Sequence, residues 1–207
     1  MTGNWPLLLC MCLVGYLAGS IPSGVLISKL AGVDDIMSLG SGNTGATNVF
    51  RVLGPKYALP VLAIDILKGA LPTYFALDML DMGKAEALAV GVCAILGHNW
   101  SVFLRFKGGK GVATTAGAAI VVFPKLLSVG LVVFIIAVAV SRYVSLGSLL
   151  GVWTAFGYSL LPGFTPFDRW AVFGLAAVVT YRHRANVQRL LAGKELRLRF
   201  GRRGDTG

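Results

Sequence analysis

The sequence predicts an all-α protein: a polytopic bundle of about seven membrane helices, some short or re-entrant, with the N-terminus outside and the C-terminus inside. Three observations carry this. Of 207 residues, 56% are hydrophobic and only 14% charged, against about 25% charged in an ordinary soluble domain. The apolar residues fall into successive runs near the roughly 20 residues that cross a bilayer. The cations between those runs are strongly biased to one side.

The first run, 5–28, has no basic stretch before it and positive charge after it, which marks a retained helix rather than a cleaved leader. Gly15, Gly19 and Gly24 allow close helix contact there, and Pro22 allows a kink. The second run, 57–77, carries Asp65 and Lys68 on one helical face, where each can neutralise the other. An ion pair is the plain reading and contact with a polar site the sharper one. The third run is 85–104. The fourth and fifth, 112–123 and 126–141, fall short of a full crossing and are expected to be re-entrant or shielded by neighbours. Runs 145–161 and 169–190 complete the seven, with a basic tail from about 191, all in one domain over 1–207.

Seven spans put Lys29, Arg51, Lys56, Arg105, Lys107, Lys110 and Arg142 inside, with the tail from Arg182 through Arg203. Only Lys84, Lys125 and Arg169 fall outside. The net charge of +10 therefore reads as an inside bias together with affinity for an anionic substrate, and no nucleic-acid partner is expected. Cys10, Cys12 and Cys93 lie in apolar stretches and are expected to be buried free thiols. With two histidines and no loop carboxylates at ligand spacing, no metal is expected, nor any other cofactor. Asp34-Asp35 reads as a solvated loop.

Three inside segments carry candidate chemistry. Ser41-Gly42-Asn43-Thr44-Gly45-Ala46-Thr47-Asn48-Val49-Phe50-Arg51 combines glycine turns, a helix start that Thr47 or Asn48 could cap, and a guanidinium. That is a good phosphate or oxyanion site. A plain polar turn rarely needs eleven residues so poor in solvating charge. In the second, Lys107 and Lys110 flank Gly108-Gly109, a pair that permits close backbone approach to a ligand. It is not a Walker A loop, because Gly111 follows Lys110 where Ser or Thr is needed. His98 nearby reads first as a satisfied core histidine. In the third, His183, Asn186 and Arg189 recur at three-residue spacing on one helical face. A basic anchor alone gives no reason for the His and Asn. Ser148 could add a hydroxyl, although helix packing explains it equally well.

GSIPSGVLISK (19–29), SGNTGATNVFR (41–51) and GHNWSVFLRFKGGKGVATTAG (97–117), with the stretch from Tyr181 to Glu195, resemble the motifs of the bacterial acyl-phosphate:glycerol-3-phosphate acyltransferase family, the PlsY family. The resemblance covers nearly the whole chain, in the family's order. It implies acyl transfer from acyl phosphate to the 1-hydroxyl of glycerol 3-phosphate, giving lysophosphatidic acid and phosphate. It also implies a bacterial cytoplasmic membrane protein with its active site on the cytoplasmic face, membrane lipid around it, and no obligate protein partner. Carried onto matching positions, it implies a core site of Ser41, Arg51, Lys110, His183 and Asn186. Asn43, Thr47, Asn48, Lys107, Gly108, Gly109 and Ser148 are expected to bind substrate or phosphate.

The general base is left open between His183 and a substrate phosphate oxygen. No G-x-S-x-G elbow is present, and neither histidine is followed by Asp at the fifth position. A transporter would share the basic loops but would spread ionisable groups through the membrane depth. A scaffold would explain the tail but not the glycine-rich loops.

Overall fold

The computed structural model describes residues 4–198. The described residues form helices α1 Trp5–Ser20, α2 Ser23–Leu30, α3 Ala46–Leu53, α4 Pro55–Tyr74, α5 Lys84–Asn99, α6 Val112–Val122, α7 Pro124–Ser141, α8 Val144–Ser159, α9 Pro166–Arg182 and α10 Arg184–Leu191. Strands are absent among these residues; an isolated bridge joins Ser101 to Lys107. The part of the basic tail beyond residue 198 lies outside the described residues.

The predicted runs map onto helices, with informative differences. The first is broken at Ile21-Pro22, where proline cannot supply the N–H that would continue the ladder. The last is broken at His183, which ends α9 and begins α10. His183 therefore does not share one continuous helix with Asn186 and Arg189. The fifth run is not short: Pro124 takes the first helical position, where its fixed φ suits the turn, and α7 extends over 18 residues. Trp5–Leu30, Pro55–Met79 and Pro124–Ser141 are each long and apolar enough to cross a membrane. α6 is the short one, and α4, α5 and α7 pack around it.

Glycines let the helices meet backbone to backbone. A Cβ at Gly19 would overlap Ala94 of α5, and at Gly15 it would press on Val90. Gly130 of α7 and Gly151 of α8 each face the other's carbonyl, so this crossing also depends on missing side chains. Large apolar side chains such as Leu9, Ile136 and Val140 point outward, as lipid-facing surfaces require. Cys10 is exposed and Cys12 and Cys93 are half-buried. They are free but not buried as expected, because an apolar stretch on the rim of a membrane bundle faces lipid rather than a core.

Apart from the Asp65–Lys68 pair within α4 and His98 beside it, charged contacts sort to two ends. At one, Lys84 pairs with Asp168 at 2.6 Å. At the other, Arg51 donates to the Leu196 carbonyl at 3.0 Å, and the Leu198 N–H donates to that of Arg142 at 2.7 Å. The three chemistry-bearing segments gather at this second end.

Candidate active site

The loop before α3 is held by one buried side chain. Asn48 donates from Nδ2 to the carbonyls of Ile36 (3.1 Å) and Leu39 (3.0 Å), and its Oδ1 accepts from the Ser41 N–H (2.7 Å) and hydroxyl (3.1 Å). Its amide is thus spent on shaping the loop and on aiming Ser41. Asn43 accepts from the Gly45 N–H at 2.9 Å. The cap of α3 is Gly45, not Thr47 or Asn48, and no side chain closes it. The first-turn N–H groups at Ala46 and Thr47 have no acceptor within their own helix and border the cavity described below. Arg51 follows one turn later, with a buried Nε that has no partner among the described residues.

The second loop turns through Arg105 and Phe106, both left-handed (φ 53° and 59°), to bring Lys107 back against Ser101. Lys107 is exposed and, like Gly108 and Gly109, does not line the main cavity. The glycine pair answers a packing demand: a Cβ at Gly109 would sit on the His98 imidazole, and one at Gly108 on the His98 carbonyl. Gly109 donates its N–H to that carbonyl at 3.0 Å. Arg182 grips the pair from the far side, giving its guanidinium to the carbonyls of Gly108 (3.2 Å) and Gly109 (3.1 and 2.6 Å) while stacking over Trp100. Lys110 is thereby aimed into the cavity beside the uncapped start of α6.

The third segment supplies acceptors. His183 places Nδ1 2.8 Å from the Val179 carbonyl. A carbonyl only accepts, so Nδ1 carries the proton and Nε2 is left with a lone pair. Asn186 gives Nδ2 to Glu195 at 2.6 Å, which leaves its Oδ1 as an acceptor. Glu195 also accepts from Ser145 (2.9 Å) and Arg189 (2.8 Å). The Ser148 hydroxyl bonds back to Val144 at 2.9 Å, although Ser148 borders the cavity.

Electrostatics follow from this crowding. Burial, reinforced by Arg189, Arg51 and Arg182 and opposed by Glu195, brings the Lys110 ammonium down to about 8. Burial and the nearby Lys110 bring His183 down to about 4, so the imidazole is neutral near pH 7. Burial pushes the Glu195 carboxyl up, but its three hydrogen bonds outweigh this and hold it below its usual value.

These groups meet at one end of a cavity of about 570 Å³. Ser41, Asn43, Arg51, Lys110, His183 and Asn186 all line it, with Glu195. Away from them the walls are apolar, built from α4, α6, α7, α8 and α9. Leu59, Leu62 and Leu131 line the cavity and are also 40–64% exposed, so it opens sideways between α4 and α7. Asp65 and His98 reach its wall. Asp65 does pair with Lys68 at 2.8 Å, accepts from Ser23 at 2.6 Å and stands 3.5 Å from His98. The ion pair is thus formed, and its carboxylate also borders the cavity. Among the described residues no group of three or more His, Cys, Asp or Glu side chains could hold a metal ion.

Sequence reasoning missed Glu195, Arg182 and Ser145. Glu195 is a single carboxylate in a run of cations, which was its one available signal.

A helical membrane bundle with a cationic cradle opening into an apolar, laterally open groove has the shape and charge that suit an anionic head joined to a long apolar tail. Residues 9–193 match the family described as glycerol-3-phosphate acyltransferase. The glycerol-3-phosphate acyltransferase of Syntrophotalea carbinolica is 43% identical over 192 residues, covering 91% of this chain and 96% of that one. Glycerol-3-phosphate acyltransferase 1 of Deinococcus radiodurans is 44% identical over 189 residues, covering 90% and 93%. The crystal structure of PlsY, an integral membrane glycerol 3-phosphate acyltransferase, in its glycerol 3-phosphate form matches with a TM-score of 0.86 at 38% identity, covering 93% of this chain and 96% of that one. Its lysophosphatidic acid form matches with a TM-score of 0.84 at the same identity, covering 93% and 95%. The chain belongs to the glycerol-3-phosphate acyltransferase (PlsY) family of multi-pass bacterial membrane proteins.

Proposed function

We propose that this acyltransferase moves a fatty acyl group from acyl phosphate to the 1-hydroxyl of glycerol 3-phosphate, releasing 1-acylglycerol 3-phosphate and inorganic phosphate. One observation carries the reading: a cradle with Arg51, Lys110 and two uncapped helix starts stands at the mouth of an apolar groove. An acyl phosphate joins a phosphate to a fatty chain and spans both. The glycerol 3-phosphate and lysophosphatidic acid forms of the PlsY relative support the acceptor and the product.

In this mechanism Arg51, Lys110 and the first-turn amides of α3 and α6 bind phosphate and offset charge growing on the attacked carbonyl. Ser41, aimed by Asn48, donates its hydroxyl hydrogen bond to a substrate oxygen. His183 Nε2 and Asn186 Oδ1 are both acceptors, so they hold glycerol hydroxyls rather than phosphate. The acceptor oxygen attacks the acyl carbon, the new ester C–O bond forms, and the bond to phosphate breaks. The hydroxyl proton passes to a phosphate oxygen of substrate, because an imidazole held near 4 is a weak base at neutral pH. The donor is already activated, and proximity supplies much of the acceleration. No acyl-enzyme forms.

The same reading gives seven crossings: α1 with α2, then α4, α5, α6, α7, α8 and α9. The cradle end faces the cytoplasm, by the positive-inside rule. The test is direct. Purified protein in detergent, given palmitoyl phosphate and glycerol 3-phosphate, is expected to release phosphate and form lysophosphatidic acid, and to do neither with palmitoyl-CoA. Turnover with palmitoyl-CoA alone would overturn the donor assignment.

A further inference from the structure

The groove has a measurable depth and a definite end. Cavity-lining residues run along α7 from Val138 at the cradle to Leu126, and along α8 from Val144 to Ala155. At 1.5 Å rise per residue these walls are about 17–18 Å long. They start beside the cradle and stop two residues short of Pro124, where α7 begins at the opposite end of the bundle. At its far end Phe123 fills the break between α6 and α7, 4% exposed, packed with Leu126, Val172 and Leu175. Behind the ring the environment turns polar at once. Lys84 Nζ lies 4.6 Å from the Phe123 ring centroid and pairs with Asp168 at 2.6 Å, and Asp168 is fixed in turn by a capping box with Thr165.

We propose that Phe123, backed by the Lys84–Asp168 ion pair, is the end stop that measures acyl-chain length in this groove. An apolar chain is stabilised by each methylene it lays along the walls. One methylene beyond the ring must either displace the ring or meet an ion pair that offers it nothing. A hydrophobic pocket discriminates at about ten-fold or more for a misplaced methylene. Ala119 lines the same wall one helical turn nearer the cradle, and its small side chain keeps the last turn of the groove empty. Phe123 and Ala119 therefore set the length from opposite directions: the ring closes the end, and the missing bulk above it leaves the end reachable.

The inference rests on the groove being the acyl site, and the experiment separates the two claims. Wild type, Phe123→Ala and Ala119→Leu are compared for binding of 1-acylglycerol 3-phosphates with chains of increasing length, and for turnover of acyl phosphates of the same lengths. Phe123→Ala is expected to move the preferred length upward and Ala119→Leu to move it downward. Each should change the ratio between neighbouring even-numbered chains by about ten-fold, with KM for glycerol 3-phosphate unchanged. Since Ala119→Leu adds bulk rather than removing it from the core, it tests the stop even if Phe123→Ala fails to fold. If wild type binds none of the lipids and turns over no acyl phosphate, the acyl site falls and the stop with it. If wild type binds them but the variants keep its length profile, the acyl site stands and the stop is overturned, the chain end then leaving sideways between α4 and α7.

Discussion

Asn186 Nδ2 and Glu195 Oε1 stand 2.6 Å apart, joining the start of α10 to the segment that follows it. The same carboxylate takes Ser145 and Arg189, so one buried group orients three others. Its loss has two readouts. Glu195→Ala leaves several polar groups without their acceptor and is expected to cost about 1–3 kcal/mol of stability, seen as a lower Tm in detergent. Asn186 would lose its fixed orientation, raising KM for glycerol 3-phosphate more than KM for the donor.

Arg51→Ala and Lys110→Ala are each expected to abolish turnover while the protein still inserts and stays folded. Removing one preorganised charge from such a site typically costs 100-fold or more in rate, about 3 kcal/mol. Activity assays on purified variants, alongside their thermal melts, check this. Near-normal rates in either variant would sink the cradle.

The proposed mechanism uses Lys110 as the ammonium, whose pKa is brought down to about 8. As pH rises through that value the free enzyme loses the charge, so kcat/KM should fall with an apparent pKa near 8. Bound phosphate favours the cation, so kcat should hold to higher pH. Lys110→Arg should move the kcat/KM limb upward if it retains activity. Glu195→Gln should move it downward, because the carboxylate is what raises the Lys110 value.

His183 sits near 4 and is neutral over the physiological range. If it were the base, activity would disappear as pH falls through about 4, and His183→Ala would abolish that limb. The substrate-assisted route predicts otherwise: His183→Ala should weaken glycerol 3-phosphate binding and leave the shape of the pH–rate profile alone.

Arg182 acts through the loop it grips. Arg182→Ala should lower kcat/KM by about ten-fold or more by freeing Gly108-Gly109 and with them Lys110, with no substrate group touched. Arg182→Lys should restore little, since a single ammonium cannot reproduce a fork spread over two carbonyls.

Much of this was legible in the sequence, for reasons that also explain what was not. The apolar runs betray the helices because lipid accepts no other composition. Pro22 was expected to kink the first helix and breaks it instead, whereas Pro124, left outside the run from 126, begins α7. The break at His183 carries no such residue; it becomes visible only where α10 swings toward Glu195. Ser41, Arg51, Lys110, His183 and Asn186 were assembled by motif and do line one cavity. Asn48, expected as a ligand, borders the cavity and spends its amide on the loop, because an amide reads the same whether its partners are substrate or backbone. Arg182 was read only as the first cation of the basic inside tail. Its target is the backbone of a loop more than seventy residues away, a contact that no local pattern encodes.

The exposed leucines at the gap between α4 and α7 have a kinetic consequence. A donor and a product that enter and leave sideways never cross bulk water, so their encounters are confined to two dimensions. The quantity that saturates such a site is mole fraction in the surrounding bilayer or micelle. Adding inert detergent at constant total substrate should therefore slow turnover by surface dilution, while the water-borne acceptor keeps ordinary concentration dependence.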